Sequence, residues 1–153
     1  MSELKDRIRA DMTAAMKARD ELRTSTLRMV VAAINTAEVA GKQARELSDD
    51  DVQSVVASEA KKRRESATAF ADAGREELAA KEEAEAAILA DYLPQQLSAE
   101  QVAEIVADVV ASTGAAGEGM RAMGRVMGAV QPRVKGRADG AMVAAEVKRQ
   151  LGA

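Results

Sequence analysis

Apolar residues recur every three or four positions along nearly the whole of this 153-residue chain. That spacing places them on one face of a helix with 3.6 residues per turn, whereas a half-buried strand needs them at alternate positions. The aromatic residues are Phe70 and Tyr92 alone, so the core must be built from Ala, Val, Leu, Ile and Met. The pattern predicts an all-α fold.

Glycine, proline and helix-capping residues divide the apolar pattern into seven predicted helices. Ser48 before three aspartates has the composition of a helix start, and Ser98 with Gln101 has the spacing of a capping box. Pro94 pushes Leu93 out of helical geometry and ends the fourth helix. The sequence therefore predicts an N-terminal bundle of about four helices, residues 1–93, and a small three-helix C-terminal subdomain, residues 94–153.

Two charged clusters in the N-terminal part have the composition of binding sites. Lys61 to Arg64 are four consecutive basic residues, which a helix spreads around most of its circumference, so they cannot all face one partner. Glu82, Glu83 and Glu85 resemble metal-binding carboxylates, but no further ligands follow at helical spacing. We interpret both clusters as solvated helix faces.

The composition restricts the chemistry that the chain can perform. It contains no cysteine and no histidine, which excludes thiolate nucleophiles, imidazole bases and nitrogen or sulfur metal sites. We predict no catalytic residue, no cofactor and no metal. The charged N-terminus and the absence of an apolar run near ~20 residues argue against a membrane span, so we expect a soluble, cytoplasmic protein.

Positive charge is concentrated near the C-terminus. Seven basic and two acidic residues lie between Met120 and Leu151, a local charge of +5 that leaves −8 for the rest of the chain. Such asymmetry favours contact with a polyanion. With so few aromatic residues, phosphate recognition on a folded RNA is favoured over base stacking. The predicted RNA-binding residues are Arg121, Arg125, Arg133, Lys135 and Arg137.

The same segment holds residues with a predicted structural role. Gly124 and Gly128 each cost about 1 kcal/mol relative to alanine inside a helix, so something close should need their missing side chains. Either a neighbouring helix packs tightly there, which we favour, or an RNA backbone approaches directly. Pro132 is predicted to end the sixth helix near Val130, and the turn and cap before the last helix are assigned to Gly136, Asp139 and Gly140.

Several strings, in this order and spacing, resemble the YqeY family. They are KKRRES with Phe70, AGREEL, KEEAEAAIL, YLPQQLS and GRVMGAVQPRVKGRADG, together with the opening helix pair. This family is related to the tail of the GatB subunit of glutamine-dependent aminoacyl-tRNA amidotransferase. The resemblance implies an all-helical fold with a C-terminal subdomain like that tail. It also implies a structural or functional role for Gly124, Arg125, Gly128, Pro132, Lys135, Gly136, Arg137, Ala138, Asp139 and Gly140.

The resemblance leads to three functional hypotheses. The first is a tRNA-binding accessory module without catalysis of its own, since the amidotransferase tail helps to hold tRNA. The second is an adaptor that docks on an amidotransferase or an aminoacyl-tRNA synthetase. The third is participation in carbon–nitrogen ligase chemistry with glutamine as amide donor, which is kinship rather than chemistry visible in this chain, because the chain lacks a Ser-Ser-Lys amidase pattern.

Overall fold

The computed structural model describes residues 2–152. Over these residues the chain forms seven α-helices, one short 3₁₀ helix and no strand, which confirms the predicted all-α fold. The contacts divide it into two compact units, with the boundary between Leu93 and Pro94. We call the part before Pro94 unit 1 and the part from Pro94 onward unit 2.

Unit 1 consists of four helices: α1 (Glu3–Lys17), α2 (Glu21–Glu38), α3 (Asp49–Asp72) and α4 (Glu76–Ala90). Helix α1 packs along α2, and α3 packs along α4. Their apolar stripes meet in one aliphatic core, and Tyr92 is its single aromatic member. The largest fully buried side chains of this core are Ile8, Leu27, Val30, Ile34, Val52, Val56 and Leu89.

Local hydrogen bonds explain where the helices begin. The Ser48 hydroxyl accepts from the Asp51 amide at 3.1 Å, and the Asp51 carboxylate accepts from the Ser48 amide at 3.3 Å. Ser98 and Gln101 form the same reciprocal pair at 3.1 and 2.9 Å. Both predicted helix starts are confirmed, because each capping box satisfies two amides that the first helical turn leaves without a partner.

The two charged clusters of unit 1 are not simply solvated faces, and that interpretation was wrong for three residues. Arg63 is only 15% exposed in its side chain and lies 3.2 Å from Glu85 and 3.9 Å from Glu82, both on α4. Glu59, one turn earlier on α3, lies 3.4 Å from the same guanidinium. Glu85 itself is buried. One arginine thus holds carboxylates from two helices together, since α3 and α4 pack face to face.

Unit 2 contains three α-helices around a core of its own. Valines from every helix fill this core, and most of them are completely buried. The glycine-rich segment after the first of these helices ends in the 3₁₀ helix, which leads directly into the next one. The elements are α5 (Ala99–Ser112), the 3₁₀ helix Gly119–Ala122, α6 (Met123–Val134) and α7 (Gly140–Gln150).

No helix among the described residues is both long enough and apolar enough to span a membrane.

Candidate nucleic-acid interface

Helix α6 presents two different faces. Val126, Val130 and Val134 recur at every fourth position and are buried in the core of unit 2. The opposite face is exposed and carries two glycines four residues apart. We call this the glycine face and define it as Gly124, Arg125, Gly128, Gln131 and Pro132.

The glycine face is open. A Cβ atom built on Gly124 or Gly128 would meet no neighbouring atom within 4 Å. The expectation that a neighbouring helix packs tightly against these glycines is therefore corrected, because α5 and α7 pack on the valine face of α6 instead. The fold of unit 2 makes no use of the missing side chains.

Pro132 does not end α6, contrary to the sequence-based expectation. The helix begins at Met123, after the 3₁₀ helix, and continues to Val134, which is 2% exposed. Proline lacks an amide donor, but the bond at the end of the helix, from the Lys135 amide to the Gln131 carbonyl, is intact at 2.9 Å. Burial of Val134 in the core therefore keeps the last turn helical.

Two of the five predicted RNA-binding residues form ion pairs on the surface of unit 2. Arg125 pairs with Glu118, just before the 3₁₀ helix, and Arg133 pairs with Asp108 of α5 at 2.7 Å. All four side chains are more than 40% exposed. Arg121, in the 3₁₀ helix, is exposed and has no ion-pair partner in the described part of the chain.

Arg137 has a different environment, because it belongs to a clasp between the α6–α7 turn and the start of unit 2. Its Nε donates to the Gln95 carbonyl at 3.3 Å, and its carbonyl accepts from the Leu97 amide at 2.8 Å. The Gln96 side-chain amide donates to the Gly136 carbonyl at 3.0 Å. Arg137 is half-buried, and the hydrogen bonds of its side chain and its carbonyl are with the protein backbone.

The residues of the α6–α7 turn have backbone conformations and hydrogen bonds that suit their types. Gly136 adopts a φ of 73°, in the left-handed region that favours glycine. Asp139 is the N-cap of α7, and its carboxylate accepts from the Ala141 amide at 3.4 Å. Gly140 is the first residue of α7 and is exposed. Lys135 is the C-cap of α6 and is also exposed, next to the glycine face.

Acidic neighbours reduce the charge of this surface below what the linear count indicates. Residues 94–153 carry seven basic and six acidic side chains, a net of +1. The partners Asp108 and Glu118 come before Met120 in the chain and therefore lie outside the basic segment from Met120 to Leu151. The only signal for them in the sequence is that each is an acid in an otherwise apolar or glycine-rich stretch.

No three acidic side chains among residues 2–152 are grouped so that they could hold a metal ion. The chemistry of the surface is that of phosphate or carboxylate binding by guanidinium and ammonium groups beside exposed helix backbone.

Fold and surface together define a class: an all-helical protein of two units, the second of which presents an exposed helix face with two glycines and with basic residues on and beside it. Comparison with protein families matches residues 5–151 to the family described as Yqey-like protein. The chain therefore belongs to this family. Comparison with curated proteins gave no match.

Proposed function

We propose that this protein is a tRNA-binding accessory module, without catalysis of its own, that holds RNA phosphates on the glycine face of α6. The observation that carries the proposal is the open space beside Gly124 and Gly128. Each glycine costs a helix about 1 kcal/mol, and nothing in unit 2 uses the space that this cost creates. An external ligand that approaches the helix backbone closely accounts for it.

The residues around the glycine face suit a phosphate backbone. Arg121 precedes the face, Arg125 lies on it, and Lys135 follows it. The ion pairs of Arg125 and Arg133 are exposed, and exposed pairs contribute only about 0–1 kcal/mol, so these arginines can exchange a carboxylate for a phosphate at little cost. Arg137 supports the surface by holding the turn.

Salt-dependent tRNA binding tests the proposal. We expect the double variant Arg121→Gln/Lys135→Gln to bind fluorescent tRNA more weakly and to reduce the slope of log affinity against log salt by about 2, one for each lost phosphate contact. The matched control Lys42→Gln/Arg64→Gln removes two exposed charges from unit 1. Equal affinity and slope for both double variants would reject the proposal.

The adaptor hypothesis is a second candidate, because the same face suits a protein helix. Small residues four positions apart allow two helix backbones to approach closely, and Gly124 and Gly128 have this spacing. A partner amidotransferase or synthetase that co-purifies after nuclease treatment, and that is lost in Gly128→Leu, would favour protein docking over RNA binding.

Participation in glutamine-dependent amidation is the third candidate and rests on family kinship. Its test is a glutaminase and ammonia-transfer assay of the purified protein. Turnover in that assay would contradict the non-catalytic role that we propose.

A further inference from the structure

The end of α1 differs from the ends of four other helices in one residue. After its C-cap, each of these five helices continues with a residue in the left-handed region. Four of them place a glycine there, whereas α1 places Arg19, with a φ of 59°. The glycines are Gly74, Gly114, Gly136 and Gly152.

The turn itself is the same with either residue. The Arg19 amide donates to the Met16 carbonyl at 3.1 Å, as the Gly74 amide donates to the Ala71 carbonyl at 3.0 Å. A left-handed backbone is strained for a residue with a Cβ atom, and glycine would form this turn without strain. Because the backbone does not need arginine here, the strain points to a use of the side chain.

The Arg19 side chain lines an open groove of about 500 Å³ at the corner between α1 and α2, which we call the corner groove. Arg28 lines it from the second turn of α2, and neither arginine has an ion-pair partner among residues 2–152. The Thr24 and Ser25 hydroxyls lie between them in the sequence. The remaining lining residues are Glu21 and Met16, and the latter is 51% exposed.

Two guanidiniums and the Thr24 hydroxyl around one groove form a donor set for a phosphate group, whereas the Ser25 hydroxyl already donates to the Leu22 carbonyl at 3.1 Å. Arginine pairs with phosphate through parallel N–H bonds, and hydroxyls commonly donate to phosphate oxygens. The exposed Met16 offers an apolar contact to a sugar ring, which a free phosphate ion does not have. The donor set therefore matches a phosphodiester in a nucleic-acid chain better than an inorganic ion.

We propose that the corner groove binds a phosphodiester of RNA, as a contact in unit 1 that is separate from the glycine face of unit 2. Arg19 and Arg28 donate to the phosphate oxygens, and the left-handed backbone at Arg19 directs its side chain to the groove. Glu21 is the one acid in the lining and opposes an anion. Substitution of either arginine should therefore weaken RNA binding, and substitution of Glu21 should strengthen it.

The test measures tRNA affinity and thermal stability of the full chain together. Arg19→Gly should raise Tm, because it relieves the strained backbone, and should lower tRNA affinity roughly three- to tenfold at low salt. Arg28→Gln should lower the affinity by a similar factor without the gain in Tm. Glu21→Gln should raise the affinity. Lys42→Gln, which removes an exposed charge beyond the opposite end of α2, should leave the affinity near that of the wild type.

The outcomes separate this site from the glycine face. If Arg19→Gly and Arg28→Gln bind tRNA as tightly as Lys42→Gln does, the corner groove is not an RNA site, whatever the result for Arg121→Gln/Lys135→Gln. If the corner-groove variants lose affinity and the unit 2 variants do not, this inference stands and the proposed role of the glycine face fails. Tighter binding by inorganic pyrophosphate than by tRNA, lost in Arg28→Gln, would also overturn the assignment to RNA.

Discussion

Among single residues, the exposed glycines of α6 are positions where a substitution should change protein stability and ligand binding in opposite directions. Gly128 lies in the middle of α6 and faces open space. Alanine at this position should raise the free energy of unfolding by about 0.5–1 kcal/mol, because the helix gains a better helix former and no neighbour must move. The same methyl group should weaken tRNA binding. Urea denaturation and fluorescence anisotropy measure the two effects.

Gly41→Ala is the matched control for this prediction. Its added methyl group meets only the Gln43 carbonyl oxygen at 3.7 Å, an ordinary contact, and it lies in unit 1. The control should leave tRNA affinity unchanged. A Gly128→Ala protein that is less stable than the wild type would show that the fold uses the glycine after all.

Glu85 is the residue whose ionisation is most changed by its position between α3 and α4. Burial raises the pKa of its carboxyl above 4.5, and the nearby Glu82 carboxylate raises it further, while Arg63 acts in the opposite direction. We expect the NMR titration of Glu85 to have a midpoint above 4.5. Glu82→Gln should lower that midpoint, because it removes a like charge.

This pKa has a definite consequence for stability. Because the folded state holds the Glu85 proton more tightly than the unfolded state, the associated stability is fully present below pH 4.5 and is lost as pH rises through the folded pKa. Glu85→Gln should remove this part of the pH dependence. A midpoint at or below 4.5 in the wild type would mean that the ion pair with Arg63 outweighs burial.

At the scale of elements, the clasp between the α6–α7 turn and residues 95–97 positions the basic surface. Gly136 adopts a left-handed φ, its own carbonyl accepts from the Gln96 side-chain amide, and the half-buried Arg137 follows it in the chain. Gly136→Ala should therefore lower the free energy of unfolding by about 1–2 kcal/mol, since the alanine Cβ is strained in this conformation. Gly140→Ala, at an open position without a left-handed φ, is the control and should change stability little.

Elements and caps could be read from the sequence because their causes are local. The capping boxes at Ser48 and Ser98 need only residues three positions apart, and the apolar stripes need only neighbouring turns. The continuation of α6 past Pro132 could not be predicted from neighbouring residues, because it depends on the burial of Val134 in the tertiary core.

The candidate site was only partly predictable for the same reason. The sequence shows which residues are basic, and it singles out Gly124 and Gly128 as costly in a helix. It does not show that Asp108 pairs with Arg133 across 25 positions, or that Arg137 bonds backbone 42 positions earlier. Arg19 was missed because its significance depends on a φ value that no spacing rule predicts.

At the scale of the whole molecule, each unit has a core of its own. Twelve buried residues form the core of unit 2, and every one of them lies between Val102 and Leu151. We therefore expect a protein of residues 94–153 to unfold cooperatively, with a helical circular dichroism spectrum. It should be only marginally stable, because a unit of about 60 residues buries a smaller fraction of its unfolded surface than a larger domain does. A spectrum of an unfolded chain would show that the unit 2 core is insufficient alone.

Mapping of amide chemical shifts on the full chain tests most directly whether RNA contacts the glycine face of α6. Addition of tRNA to the isotope-labelled protein should shift or broaden the amide signals of Arg121, Gly124, Arg125, Gly128 and Lys135, with recovery at high salt. Signals of the buried valine face of α6 should change less. Signals between residues 119 and 136 that stay unchanged at saturating tRNA would show that RNA does not bind the glycine face.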